Sequence, residues 1–137
     1  MKNRLPIIGL ICSIGMVGCA DKDTSDDPMS NIGIGPVKSV ELAEIDPELA
    51  AEGKTIFEAK CSACHKMDKR YIGPSLIGIT SRRGPEWIMN MILNPEGMVA
   101  EDPVARQLLM EYAAPMANQS LTRDEARKIL EYFRTKP

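Results

Sequence analysis

A chain of 137 residues allows one modest domain with short extensions and leaves no room for two large hydrophobic cores. Only 4% of the residues are aromatic, which is thin for a core built from side chains alone. The formal net charge is -2, but residues 20–52 hold nine acidic and two basic side chains, whereas residues 53–137 hold ten acidic and thirteen basic ones. The sequence therefore predicts an acidic leader joined to a mildly basic domain.

The first residues have the pattern of an export signal. A positive region at residues 2–4 precedes an apolar run over residues 5–17, which is too short to span a bilayer. The small Gly18 before Cys19 resembles the lipobox of bacterial lipoproteins, in which the cysteine is acylated and becomes the first mature residue. We expect residues 1–18 to be a lipoprotein signal peptide, and Cys19 to anchor an exported domain, in the periplasm or at the cell surface, to a bacterial membrane. An ordinary secretory peptide is the alternative.

Residues 19–45 are expected to form an acidic tether between the anchor and the domain. Residues 21–28 are rich in Asp, Lys, Ser and Thr and contain nothing to bury, which is typical of a flexible segment. Residues 32–40 are more apolar and β-branched, so they either stay flexible or lie as an extended strap against the domain at residues 46–137. A fully flexible tether of this length would reach about 30 Å on average.

Four helices and no sheet are predicted for the domain. N-cap residues, prolines in the first turn and apolar residues at helical spacing mark the helices, and no run alternates cleanly at the period of a strand. They are expected at about residues 47–60, 85–93, 103–112 and from 123 to the chain end. Gly53 and Phe57 share one face of the first helix, where a glycine lowers helix stability. A close crossing by another helix, for which the last helix is the candidate, would explain this glycine.

The domain is organised around Cys61-Ser-Ala-Cys64-His65, a motif that usually marks covalent haem attachment. Two thiols three residues apart lie on the same side of one helical turn, so both can form thioethers with the vinyl groups on one porphyrin edge. The histidine that follows can then bind the iron. We therefore predict one covalently attached haem c with its iron, packed as part of the core.

Other uses of a Cys-x-x-Cys motif fit this sequence less well. A structural zinc site needs four ligands, and the chain has no second histidine and only two further cysteines, Cys12 and Cys19, both in the signal segment. A thioredoxin-type redox pair would lie near a strand-helix-strand pattern, whereas helix precedes Cys61. A plain disulfide leaves His65 unexplained.

The second axial position of the iron needs a methionine or stays open, because a chain with one histidine cannot supply two. Most methionines of the domain lie in predicted helices or too close to His65. Met116 and Met98 lie in predicted loops, and both remain candidates. An open sixth position would instead suit a haem enzyme or a gas or redox sensor.

Together these features resemble class I cytochromes c, over roughly residues 47–135. The matching motifs are Gly53-x-x-x-Phe57, the haem motif, Gly73-Pro74-x-Leu76, Ala114-Pro115-Met116 and Ile129-Leu130-x-Tyr132-Phe133. The resemblance implies an all-α cytochrome c fold, with about four helices around one covalent haem and crossed first and last helices.

The resemblance also implies roles for single residues. It favours Met116 as the ligand opposite His65, and it gives the carbonyl of Pro74 the hydrogen bond from the ring N–H of that histidine. Arg82 and Trp87 are weaker candidates for hydrogen bonds to a haem propionate. The segment 82–95 resembles small lipoprotein cytochromes associated with nitrous oxide reductase.

We therefore expect a monomeric, membrane-tethered one-electron carrier that is not an enzyme and takes no small-molecule substrate. Its partners would be redox proteins bound weakly, with nitrous oxide reductase or cytochrome oxidase as acceptor. Basic residues at positions 66, 69, 70, 82 and 83 would form a positive rim that steers an acidic partner. Nucleic-acid binding is not expected, because the chain is exported and these residues are not interleaved with aromatic ones.

Overall fold

The computed structural model describes residues 27–137, a range that contains five α-helices, one short 3-10 turn and no strand. The helices are α1 (Pro47–Lys60), α2 (Pro85–Leu93), α3 (Pro95–Glu101), α4 (Pro103–Tyr112) and α5 (Arg123–Arg134), and the 3-10 turn is Ile79–Ser81. The all-α prediction is confirmed. The predicted signal peptide, the lipidation at Cys19 and the first part of the tether lie outside the described residues.

The structure has one helix more than the four predicted, because α3 occupies the segment that we expected to be a loop. Asn94-Pro95 ends α2, as predicted, but Pro95 is also the first residue of α3. Proline cannot continue a helix yet is well suited to its first position, where its missing N–H is not needed. The same dipeptide therefore ends one helix and begins the next.

Helices α1 and α5 cross at Gly53, as the sequence predicted. A Cβ at this position would overlap the backbone carbonyl of Lys128 in α5, so only glycine permits the observed approach. One turn further, the ring of Phe57 packs on Tyr132 and Phe133, with ring centroids 5.6 and 5.9 Å apart. This crossing fixes the end of α1, from which the haem motif follows.

The strap (residues 32–40) packs against the domain. Its anchor is Asn90 in α2, whose side chain is completely buried. The amide Nδ2 of Asn90 donates to the carbonyls of Ile32 and Val37, and its Oδ1 accepts the N–H of Val37, all at 2.9 Å. Val37 itself is completely buried. The boundary expected at residue 46 therefore separates two parts of the chain that share one core.

Within residues 27–137, no helix is both long and apolar enough to cross a membrane.

Candidate haem site

A cavity of about 450 Å³ lies between α2, α4 and α5 and the loops that follow α1 and α4. Its walls are mainly apolar. Every site residue predicted within the described range lines it, namely Cys61, Cys64, His65, Pro74, Arg82, Trp87 and Met116. Residues from both sides of the chain's midpoint therefore meet around one space.

The two cysteines lie in the turn that ends α1. Cys61 is the C-cap of the helix, and its carbonyl accepts the N–H groups of Cys64 at 3.1 Å and His65 at 2.9 Å. This helical turn places both thiols on the cavity. Burial, assisted by the neighbouring Cys64, raises the pKa of the Cys61 thiol to about 11. Both thiols are free of disulfide bonds.

The ring of His65 is held on one side by backbone. Its Nδ1 lies 3.3 Å from the carbonyl oxygen of Pro74, and a carbonyl can only accept, so Nδ1 carries the proton and Nε2 keeps its lone pair. Burial lowers the pKa of His65, while the hydrogen bond to Pro74 acts in the opposite direction. The neutral imidazole with a free Nε2 is the form that binds a metal.

Gly73 leaves the space that the imidazole of His65 fills. A Cβ there would lie 2.5 Å from Cε1 and 2.8 Å from Nδ1 of His65, so the ring rests directly on the glycine backbone. The N–H of Gly73 also donates to the carbonyl of Cys64 at 2.9 Å, which ties this loop to the haem motif. Gly73 was part of the recognised pattern, but its contact with the ring could not be read from the sequence.

These residues fit a haem c. Two free thiols and a neutral imidazole open onto one cavity, whose other walls are side chains such as Leu76, Ile88, Ile129 and Phe133. The competing zinc site does not fit, because no group of three or more His, Cys, Asp or Glu side chains in the described part of the chain could hold a metal ion.

The structure separates the two methionine candidates. Met116 lies half-buried in the loop between α4 and α5 and lines the cavity. Met98, which we expected in a loop, lies in α3 and is completely buried. Its sulfur accepts the N–H of Ile34 in the strap at 2.9 Å, and it does not line the cavity.

Trp87 and Arg82, the two candidates for hydrogen bonds to a propionate, both line the cavity, and each also has a hydrogen bond within the protein. The indole N–H of Trp87 donates to Oδ1 of Asp102 at 3.3 Å. A guanidinium nitrogen of Arg82 donates to the carbonyl of Ser75 at 3.1 Å. A guanidinium has five N–H donors, so Arg82 keeps others for an anionic group.

Sequence reasoning missed the aromatic partner of Arg70. The guanidinium of Arg70 lies 4.1 Å from the ring centroid of Tyr112, at the end of α4, and donates to the carbonyl of Glu111 at 3.0 Å. Arg70 and Tyr112 both line the cavity. The pair therefore joins the loop after His65 to the far wall, where sequence reasoning had placed Arg70 only in the positive rim.

Comparison with known proteins agrees with this geometry. The family model "Cytochrome c" matches residues 50–136. The structure is similar to a cytochrome c from Rhodothermus marinus, with a TM-score of 0.76 and 49% identity, covering 80% of this chain and 96% of that chain. It is also similar to an engineered cytochrome c from the same organism bound to a carbene intermediate, with a TM-score of 0.69 and 50% identity, covering 74% of this chain and 88% of that chain.

A curated relative, a cytochrome c-553-like protein of Synechocystis, is 39% identical over 46 residues, which are 33% of this chain and 44% of that protein. This match thus spans less than half the length of the relative. The family model covers well over half of the chain, and the helices, cavity and donor residues agree with it. The chain therefore belongs to the cytochrome c family, as a class I monohaem member that binds haem c and its iron covalently.

Proposed function

We propose that this cytochrome is a membrane-tethered one-electron carrier in which Cys61 and Cys64 would hold the haem by thioether bonds, and His65 and Met116 would bind its iron. The observation that carries the proposal is the single cavity on which these four side chains meet. The bound haem supplies one-electron chemistry, and methionine as an axial ligand raises its reduction potential. Both axial positions would then be filled, which leaves no site for a substrate.

The protein residues around the cavity have three tasks in this function. Pro74 orients the imidazole of His65 through the hydrogen bond at Nδ1, which also raises its strength as a ligand. The apolar walls exclude water, which lowers the local dielectric constant. The charged residues that line the cavity within residues 27–137 are basic, namely Lys60, Arg70, Arg82 and Arg83, and none is acidic. An acidic surface on the partner would be attracted to this edge, with a rate that falls as salt is added.

The absorption spectrum of the ferric protein tests the ligand assignment. We expect the band of methionine sulfur bound to ferric iron in the wild type and its loss in Met116→Ala. Met110→Ala is the matched control, because this side chain in α4 is 74% exposed and does not line the cavity. A band that survives in Met116→Ala, or is absent from the wild type, would show that Met116 is not the ligand.

The same spectra test the alternative function, a haem enzyme or a gas or redox sensor with an open sixth position. One observation supports this alternative: the engineered relative from Rhodothermus marinus is bound to a carbene intermediate. An open position predicts that the wild type lacks the methionine band and binds carbon monoxide as readily as Met116→Ala does. A carrier with Met116 on the iron binds carbon monoxide much more weakly than that variant.

The membrane anchor and the identity of the electron acceptor are proposed from the sequence alone. The small residue before Cys19 supports acylation there, with export of the domain to the periplasmic side. Labelled palmitate should enter the wild type and not Cys19→Ser, which should release the domain from the membrane. Label in the serine variant would contradict the acylation of Cys19.

Stopped-flow oxidation of the reduced protein by nitrous oxide reductase and by cytochrome oxidase tests which acceptor it serves.

A further inference from the structure

A buried carboxylate lies behind the wall of the cavity. Asp102 is only 3% exposed and is the N-cap of α4. Its Oδ1 accepts the N–H of Ala105 at 2.8 Å and the indole N–H of Trp87 at 3.3 Å. Its Oδ2 accepts from the side-chain amide of Asn31 at 2.8 Å. These three donors satisfy the carboxylate by hydrogen bonds.

No cation neutralises this carboxylate in the described part of the chain, whose ion pairs all involve other acidic residues. The guanidinium of Arg83 lies over the ring of Trp87, 5.4 Å from its centroid, and makes no ion pair with Asp102. Arg83 also lines the cavity and is partly open to solvent. The field of Asp102 is therefore screened by hydrogen-bond donors but not cancelled by a paired charge.

Two of the three residues that donate to Asp102, Trp87 and Ala105, line the cavity. The carboxylate therefore lies directly behind the cavity wall, next to the space that the haem would occupy. A negative charge at this depth stabilises the ferric form, which carries one more positive charge than the ferrous form. Because the intervening medium is protein and not water, the effect of this charge is larger than that of a surface charge at the same distance.

We propose that Asp102 is a positioning residue of the haem site, which fixes Trp87 in the cavity wall and lowers the reduction potential of the haem by its buried negative charge. The inference rests on the proposed function, because it requires the haem in this cavity. Asn31 precedes the strap directly, so its bond to Asp102 also ties the N-terminal segment to the same wall.

A redox titration of the haem-loaded protein tests the proposal. Asp102→Asn removes the charge but keeps an oxygen that can accept from Trp87 and cap α4. The matched control is Asp46→Asn, because Asp46 is likewise an N-cap, accepts the N–H groups of Glu48 and Leu49, and is exposed at the start of α1. We expect a higher midpoint potential in Asp102→Asn and an unchanged one in Asp46→Asn. The rise should persist at high salt, which screens exposed charges more than buried ones.

Asp102→Ser provides a second test should the asparagine variant fail to fold, because serine is a good N-cap without charge. It should raise the potential as well. Asp102→Ser leaves Trp87 in the cavity wall but shortens the side chain that accepts its N–H, so the Soret circular dichroism should change in this variant and not in Asp46→Asn if Asp102 holds the indole in place. An unchanged or lower potential in both Asp102 variants, or an equal rise in Asp46→Asn, would overturn the proposal. If the methionine band were absent from the spectrum of the wild type, this result would instead count against the proposed function.

Discussion

Replacing Gly73 by alanine removes the support that the backbone gives to the ring of His65. The added Cβ would lie 2.5 Å from Cε1, whereas ordinary contacts of this kind begin at 3.4 Å, so the two groups must separate by about 0.9 Å. The distance from Nδ1 to the carbonyl oxygen of Pro74 is already 3.3 Å. A shift of this size is therefore expected to break the hydrogen bond that orients the imidazole.

The cost can be divided between packing and redox chemistry. Overpacking of a filled site typically costs about 1–3 kcal/mol of stability. The hydrogen bond to Pro74 makes His65 a stronger donor to iron, which favours the ferric state. If this preference is about 1 kcal/mol, its loss raises the midpoint potential by roughly 40 mV, since about 59 mV corresponds to a tenfold change in a one-electron equilibrium.

The assay is a spectroelectrochemical titration combined with urea unfolding, with Gly53→Ala as the control. That variant is also overpacked, against the carbonyl of Lys128, but Gly53 does not line the cavity. We expect both variants to lose stability and only Gly73→Ala to change the potential. Equal potentials in the wild type and Gly73→Ala, or an equal shift in Gly53→Ala, would refute the argument about the support of His65.

Two further predictions concern stability. Asn90→Ala removes three hydrogen bonds and leaves buried backbone groups of the strap without partners, so we expect a loss of about 2–5 kcal/mol. Amide exchange at Val37 should accelerate, and unchanged protection there would contradict the role of Asn90. Hydrogen bonds from Thr122 lower the pKa of Glu125, so the stability they give is present above the ordinary pKa of 4.5 and lost as the pH falls through the folded value. Wild type should therefore exceed Glu125→Gln in urea midpoint at pH 7 but not at about pH 2, and a constant difference would contradict this linkage.

Local signals in the sequence predicted the helices well. Asp46 accepts the first N–H groups of α1, and Thr122 and Glu125 form the reciprocal cap of α5, as their spacing indicated. These interactions join residues two or three positions apart, so they are visible in a single sequence. The additional helix α3 was missed because Asn94-Pro95 can both end one helix and begin the next, and only the end of α2 was predicted from it.

In the candidate site, too, local features could be predicted from the sequence, whereas contacts between distant residues could not. The haem motif is contiguous, and its geometry follows from one helical turn. The bonds that shape the opposite wall join Trp87 to Asp102 and Arg70 to Glu111, which lie 15 and 41 positions apart. Side-chain pairing over such separations leaves no periodic trace in one sequence. The sequence therefore indicated which side chains the cavity needs, but not which neighbours hold them.

The packed strap changes what a lipid anchor at Cys19 would do. Eight Cα-to-Cα steps separate Cys19 from Asp27, the first described residue, so the link spans at most about 28 Å. A tether that stayed flexible to residue 45 would already average about 30 Å and could extend much further. The chain meets the domain beside Gly84, where a Cβ would lie 2.7 Å from the carbonyl oxygen of Met29, next to two of the basic residues that line the cavity. In a protein lipidated at Cys19, this short link would limit how far that basic edge could move from the membrane surface, in addition to the contribution of the strap to stability.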